Sequence, residues 1–121
     1  MQTCHNNGVV HRDLKLENIL YESSARTKIK VVDFGIAGLL TNEGGEKNTA
    51  ATLKYMTPEM AAGGSVAAPP MDVWAIGIMA FVMMFNRLPF QGASRQETKD
   101  AIRNQELKLP LHRFVCSHDA Q

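Results

Sequence analysis

Cysteine is scarce in this sequence. Two among 121 residues, Cys4 and Cys116, cannot build a dense disulfide framework, and this points to a reducing, intracellular compartment. Aromatic residues are few, at 7%. Neither sign of charge dominates: thirteen Lys and Arg stand against twelve Asp and Glu, a formal charge of +1 with His neutral. A chain so balanced builds no strong field, which excludes a basic nucleic-acid arm and an acidic tail. Long apolar runs are missing too. The run from Val73 to Phe85 (VWAIGIMAFVMMF) holds thirteen residues, against about twenty needed to cross a bilayer. The opening MQTCHNNGVVHRD has no apolar h-region, so no signal peptide is expected. No internal repeat is found. What remains, 45% hydrophobic and 21% charged residues, is the composition of a soluble globular domain, with length for one small domain and not two. The expectation is a cytoplasmic or nuclear chain with no membrane and no nucleic-acid partner.

Short β-like pieces come first along the chain. Val9-Val10, Ile19-Leu20-Tyr21 and Ile29 to Val32 are brief runs rich in β-branched residues, bounded by Gly, Asn, Asp or Ser. From Gly35 to Ala51 the chain turns small and polar, which predicts a long mobile loop. A second flexible stretch is predicted from Ala61 to Pro70. The run Val73 to Phe85 is apolar on every face, the pattern of a helix buried in a core. Asp72 stands before it as a candidate cap, and Pro69-Pro70 are expected to stop any helix upstream. Ser94 to Gln105 (SRQETKDAIRNQ) reads as an exposed helix, with Ser94 as N-cap and Glu97 three residues on.

The most specific signal is His11-Arg12-Asp13-Leu14-Lys15-Leu16-Glu17-Asn18, followed by Asp33-Phe34-Gly35. Thr57-Pro58-Glu59, Asp72-Val73-Trp74-Ala75-Ile76-Gly77 and Leu88-Pro89-Phe90 come after it in order. In these motifs the sequence resembles the eukaryotic protein-kinase family, with its catalytic loop H-R-D-x-x-x-x-N, D-F-G, A-P-E and D-x-W-x-x-G segments. The resemblance implies an α+β, protein-kinase-like fold. Residues 1–110 would form an incomplete, mainly helical C-terminal lobe, with short strands bearing the catalytic loop and activation segment. Residues 111–121 would be a divergent or disordered tail.

The implied chemistry is transfer of the γ-phosphate of ATP to Ser or Thr hydroxyls of a protein substrate, with Mg²⁺ as cofactor. Such a transfer needs an aligned nucleophile and neutralised phosphate charge. By the resemblance Asp13 would accept the hydrogen bond of the substrate hydroxyl, and Lys15 would set a fixed positive charge beside the transferring group. Asn18 and Asp33 offer the hard oxygen ligands that suit Mg²⁺, the remaining ligands being phosphate oxygens and water. Leu20 would floor the adenine, with Val32 next to it and the Glu17 backbone near the ribose. Lys15, two residues after Asp13, fits the Ser/Thr pattern. Thr52 resembles the Thr that ties the substrate-binding loop to Asp13 and Lys15, with Leu53 and Met56 as an apolar pocket for substrate.

Further roles are regulatory or structural. Arg12 resembles the catalytic-loop Arg of kinases switched on by activation-loop phosphorylation, with Thr49 as acceptor, Thr41 next in line, and an activating kinase as partner. His11 and Phe34 would stack in the column joining the two lobes, and Gly35 completes the D-F-G turn. Asp72 would accept backbone N–H groups near His11 and Arg12. Glu59 is expected to miss its buried Arg partner, a loss of about 3–5 kcal/mol. Ala51 in a usual Gly slot and Thr57 in a usual Ala slot would stiffen or crowd the activation segment. The surroundings of Pro89 and the run His11 to Leu20 resemble calcium/calmodulin-dependent and SNF1-like kinases. A zinc site from Cys4, His5, His112, Cys116 and His118 lacks the paired spacing such sites need.

No G-x-G-x-x-G loop, strand Lys or partner Glu of the kinase N-terminal lobe occurs in the sequence. Two readings therefore stay open. One is a fragment of a Ser/Thr kinase, inactive by itself; the other is a truncated, non-catalytic product serving as a regulatory or interaction module.

Overall fold

The computed structural model describes residues 1–34, 38–39, 50–64 and 68–109, with backbone alone at 38–39 and 50–52. The chain opens with a short helix, α1 (Gln2–Asn6), and reaches strand β1 (Val9–Val10) through Gly8, whose φ of 72° is open to glycine without strain. The catalytic-loop motif follows, closed by a 3₁₀ turn over Leu16–Asn18. A hairpin comes next, β2 (Ile19–Tyr21) pairing antiparallel with β3 (Ile29–Val31) in the register Ile19↔Val31 and Tyr21↔Ile29. All three predicted β-like pieces are therefore strands.

A fourth strand, β4 (Gly38–Leu39), pairs antiparallel with β1. It lies inside the stretch read as loop. Two small residues' worth of pairing carries no period a sequence could display, and a partner nearly thirty residues away supplies the hydrogen bonds. The rest of that stretch, including Gly35, Thr41 and Thr49, lies outside the described residues.

A second 3₁₀ turn (Ala50–Tyr55) leads to α2 (Pro58–Ala61), then to the long α3 (Pro69–Phe85) and to α4 (Arg95–Asn104). Helix α3 begins at the two prolines rather than after them. A proline at N1 or N2 gives up only an N–H that has no partner within the helix, and its φ is already helical. Asp72 therefore sits inside the first turn of α3 and not ahead of it. The helix ends at Asn86 in the left-handed region (φ 52°), with the Asn86 N–H donating to the Val82 carbonyl.

Ser94 caps α4 as predicted: the Glu97 N–H donates to Ser94 Oγ at 3.1 Å. The Glu97 carboxylate reaches back to the Ala93 N–H at 2.8 Å, so the cap satisfies one free donor in the first turn and one just ahead of the helix. Gly92 makes this closure fit. A Cβ there would stand 2.4 Å from the Glu97 Cβ and 2.8 Å from the Thr98 nitrogen.

Two apolar clusters hold the elements together. Met56, Ala61, Ile78, Phe90 and Ile102 form the larger, joining the turn before α2 to α3 and α4. Leu14, Ala75 and Met79 form the smaller, with Ile19 and Val31 of the hairpin against it. Trp74 stacks on Phe90, ring centroids 5.9 Å apart and nearly parallel. Helix α3 is not buried all round, however. Val73, Ile76, Met83 and Met84 are exposed, because the described elements cover only one side of it. No helix among the described residues is long and apolar enough to cross a membrane.

Candidate active site

The loop between β1 and the first 3₁₀ turn carries the site. His11 is fully buried and joins its two halves. Its Nδ1 accepts the Asp13 N–H at 3.1 Å, and its Nε2 lies 3.0 Å from the Val32 carbonyl oxygen. A carbonyl can only accept, so the proton must be on Nε2; the neutral ring then both donates and accepts. One imidazole thus ties the backbone of Asp13 to the strand end before Asp33. Phe34 meets the same ring edge-on, centroids 4.5 Å apart.

Asp13 is further held by its neighbours. Asn18 donates Nδ2 to the Asp13 carbonyl at 2.8 Å, and the Lys15 Nζ stands 3.2 Å from Asp13 Oδ2. The Asn18 carbonyl accepts the Val32 N–H at 2.9 Å. With Nδ2 committed, the hard donor left to the Asn18 side chain is its Oδ1. Asp33 is exposed and takes a left-handed backbone (φ 63°). This conformation is unusual outside glycine and turns the side chain away from the strand's regular course. Asn18 and Asp33 thus sit on segments that are hydrogen-bonded side by side, and their oxygens fit a hard divalent cation.

Asp72 supports the loop from below. It is 1% exposed, and its Oδ2 and Oδ1 accept the backbone N–H groups of His11 (2.9 Å) and Arg12 (3.0 Å). Arg12 takes φ 71° there, a strained position for a side-chain-bearing residue that such fixed acceptors hold in place. The Arg12 Nε is buried without a hydrogen-bond partner among the described residues. A small cleft lined by Arg12, Asp13, Tyr55, Thr57, Met60 and Asp72 opens beside it. Tyr55 reaches the loop from the second 3₁₀ turn, its hydroxyl 3.4 Å from the Leu16 N–H. Burial pushes the Tyr55 hydroxyl pKa up, against the opposing pull of that hydrogen bond.

The other predicted positions divide. Val32 is half-buried, while Glu17 and Leu20 are exposed, Leu20 at 49%. Thr52 lies in the 3₁₀ turn with only its backbone described, and Thr49 and Gly35 lie outside the described residues. Met56 is 1% exposed and belongs to the apolar core. It is a core residue and not the wall of a substrate pocket, since its neighbours leave it no open face.

Two expectations about the activation segment are corrected. Glu59 is exposed, so water solvates its carboxylate and the expected loss of several kcal/mol from a stranded buried charge does not arise. Thr57 does not crowd the segment: its Oγ1 accepts the Met60 N–H at 3.2 Å and caps α2. A Thr followed by Pro at the first helical position is a readable start signal that the comparison with Ala obscured. His5, a candidate in the zinc set, has its Nε2 2.7 Å from Asp72 Oδ2. No group of His, Cys, Asp and Glu among the described residues could hold a metal by itself, and His112, Cys116 and His118 lie outside them.

Catalytic loop, Asp33-Phe34 segment and supporting helix are thus joined in one unit. The family profile described as "Protein kinase domain" matches residues 1–119. This chain belongs to the protein kinase family. Its relatives include the NUAK family SNF1-like kinase 1 of Mus musculus, 35% identical over 107 residues, which are 88% of this chain and 16% of that protein. The carbon catabolite-derepressing protein kinase of Saccharomyces cerevisiae is 36% identical over 94 residues, 78% of this chain and 14% of that protein. The serine/threonine-protein kinase chk-1 of Caenorhabditis briggsae is 42% identical over 93 residues, 74% of this chain and 18% of that protein. The subfamily similarity thus falls on the SNF1-like side, and the chain spans about one-sixth of the length of the first of these relatives.

Proposed function

We propose that this chain is the catalytic-loop portion of a protein serine/threonine kinase, which moves the γ-phosphate of ATP to Ser or Thr hydroxyls of proteins. The observation that carries this reading is the single hydrogen-bonded unit of Asp13, Lys15, Asn18 and the strand entering Asp33. In it Asp13 accepts the hydrogen bond of the substrate hydroxyl and aligns that oxygen for attack. Lys15, already paired with Asp13, is within reach to place its charge on the transferring phosphoryl group. Asn18 Oδ1 and the Asp33 carboxylate would hold Mg²⁺, which supplies neutralisation of phosphate charge. Leu20, Val32 and the Glu17 backbone would line the nucleotide side, and His11, Phe34 and Asp72 keep the loop in register.

Two features support a dependence on a second structural unit. The sequence has no glycine-rich phosphate loop, and Leu20 and Phe34 are exposed at 49% and 42%. The isolated chain is therefore a binder of ATP–Mg²⁺ at most and not a working enzyme. Regulation falls to Arg12, whose guanidinium would take the phosphate of modified Thr49, put there by an activating kinase; Thr52 would tie the substrate loop to Asp13 and Lys15. The scarcity of cysteine supports a cytoplasmic or nuclear setting, and the near-neutral charge supports protein substrates and no nucleic acid.

The test joins the chain to the small lobe of a related kinase and follows radiolabelled phosphate from ATP into a Ser/Thr peptide. Transfer by the joined protein, its loss in Asp13→Asn and none by the chain alone are expected. Transfer that survives Asp13→Asn overturns the assignment.

A further inference from the structure

The second 3₁₀ turn carries an exposed cation on a backbone that packing keeps in place. Leu53 and Tyr55 are half-buried and pack against the larger apolar cluster, and Met56 beyond them is a core residue. Lys54, between them, is exposed and takes part in no ion pair among the described residues. Its side chain adds little to the core, so packing does not explain it. An ammonium so placed presents its charge to whatever lies across the turn.

The turn also borders the reacting groups. The Tyr55 hydroxyl accepts the Leu16 N–H at 3.4 Å. Lys15, the residue before Leu16, has its Nζ 3.2 Å from Asp13 Oδ2, and Tyr55 lines the same cleft as Arg12 and Asp13. Lys54 is therefore one residue from a side chain that touches the catalytic loop. A peptide whose hydroxyl reaches Asp13 passes over this junction. Of the two lysines near it, Lys15 is committed to Asp13, whereas Lys54 has no such partner. Glu17, exposed on the catalytic-loop side, is not paired with Lys54 either.

From this we infer that Lys54 is a specificity-determining residue, favouring protein substrates with an Asp or Glu within a few residues of the acceptor Ser or Thr. This rests on the kinase reading above. The attraction is that of a surface charge pair, screened by salt and modest in size. It discriminates between substrates and takes no part in the phosphoryl transfer itself.

The test uses the chain joined to the small lobe of a related kinase, with Ser peptides whose flanks are uncharged. In each peptide a single Asp stands at one of the three positions before or after the Ser, and its counterpart has Asn there. A parallel set carries Lys. The joined parent is expected to use at least one Asp peptide about two- to fivefold better in kcat/KM than its Asn counterpart, the range of an exposed ion pair, with the gain in KM. That ratio should fall toward one in about 1 M salt, where the Debye length is about 3 Å. Lys54→Met should bring the ratio to about one, and Lys54→Glu should reverse it in favour of Lys at the same position. A residue that only shaped the turn would lower the use of both peptides of a pair together and leave their ratio in place.

Equal use of Asp and Asn peptides at every position overturns the inference, as does an Asp preference that survives Lys54→Met. A joined parent that phosphorylates none of the peptides overturns the kinase reading and this inference with it; transfer without preference overturns the inference alone. If neither variant folds, an Asp preference of the parent that salt does not weaken overturns it.

Discussion

Helix α3 holds the molecule together by opposite means at its N-terminal end and at its middle. At its N-terminal end a buried carboxylate, Asp72, gathers the His11 and Arg12 amides and the His5 ring. Toward its middle, Ile78 packs with Met56, Phe90 and Ile102 in an apolar cluster with no polar partner to satisfy. The difference lies in tolerance. Apolar packing degrades in proportion to the area and volume removed, since neighbours relax part of the way. A buried polar hub fails all at once, because losing the shared acceptor leaves several donors desolvated and unpaired. The catalytic loop is therefore fixed in direction by the hub, and the turn before α2 is only held in place by the cluster.

Three substitutions would break or sharpen this contrast. The largest effect is expected from Asp72→Ala, which strands the buried His11 N–H and the part-buried Arg12 N–H; a loss of about 3–5 kcal/mol is expected. Denaturant unfolding should show it, and amide exchange should be fastest at His11 and Arg12. Exchange that rises evenly over the whole chain would mean the hub is no more than another packing contact.

Phe90→Ala comes next. It removes a buried ring that stacks on Trp74, and about 3 kcal/mol is expected from lost burial and the cavity left behind. Its signature in thermal unfolding should be a lowered midpoint with the His11 and Arg12 amides still the better protected. Early exposure of those two amides instead would show that the polar hub and the apolar cluster do not act separately.

The smallest is Thr57→Ala, which restores the residue usual in the family and removes the cap of α2. Loss of the bond from the Met60 N–H should lower stability by about 1 kcal/mol. A more stable Thr57→Ala protein would mean that Thr57 crowds the segment after all.

Legibility in the sequence followed the range of the interaction. Ser94 and Glu97 announced α4, because a cap and its partner are three residues apart and the pattern is complete within one turn. Strands β2 and β3 were visible as two short β-branched runs, while their antiparallel pairing came from the structure. Asp13, Lys15 and Asn18 were visible because one short loop carries all three. By contrast, the start of α3 at Pro69 was not legible in the apolar run from Val73, since prolines that bar a helix upstream can equally open the next one. The exposed stripe of Val73, Ile76, Met83 and Met84 was misread as buried. A uniformly apolar sequence has no period from which to tell a covered face from an open one.

By itself, then, the sequence determined the family, the order of its motifs, the local caps and the identity of the groups that could do phosphoryl chemistry. Each of these is written in residues close together along the chain. Only the tertiary structure decided that His5 meets Asp72 and that Glu59 faces water. Those outcomes join residues up to 67 positions apart or depend on what covers a face. Such contacts are set by the packing of whole elements, whose entropy cost and desolvation no local pattern records.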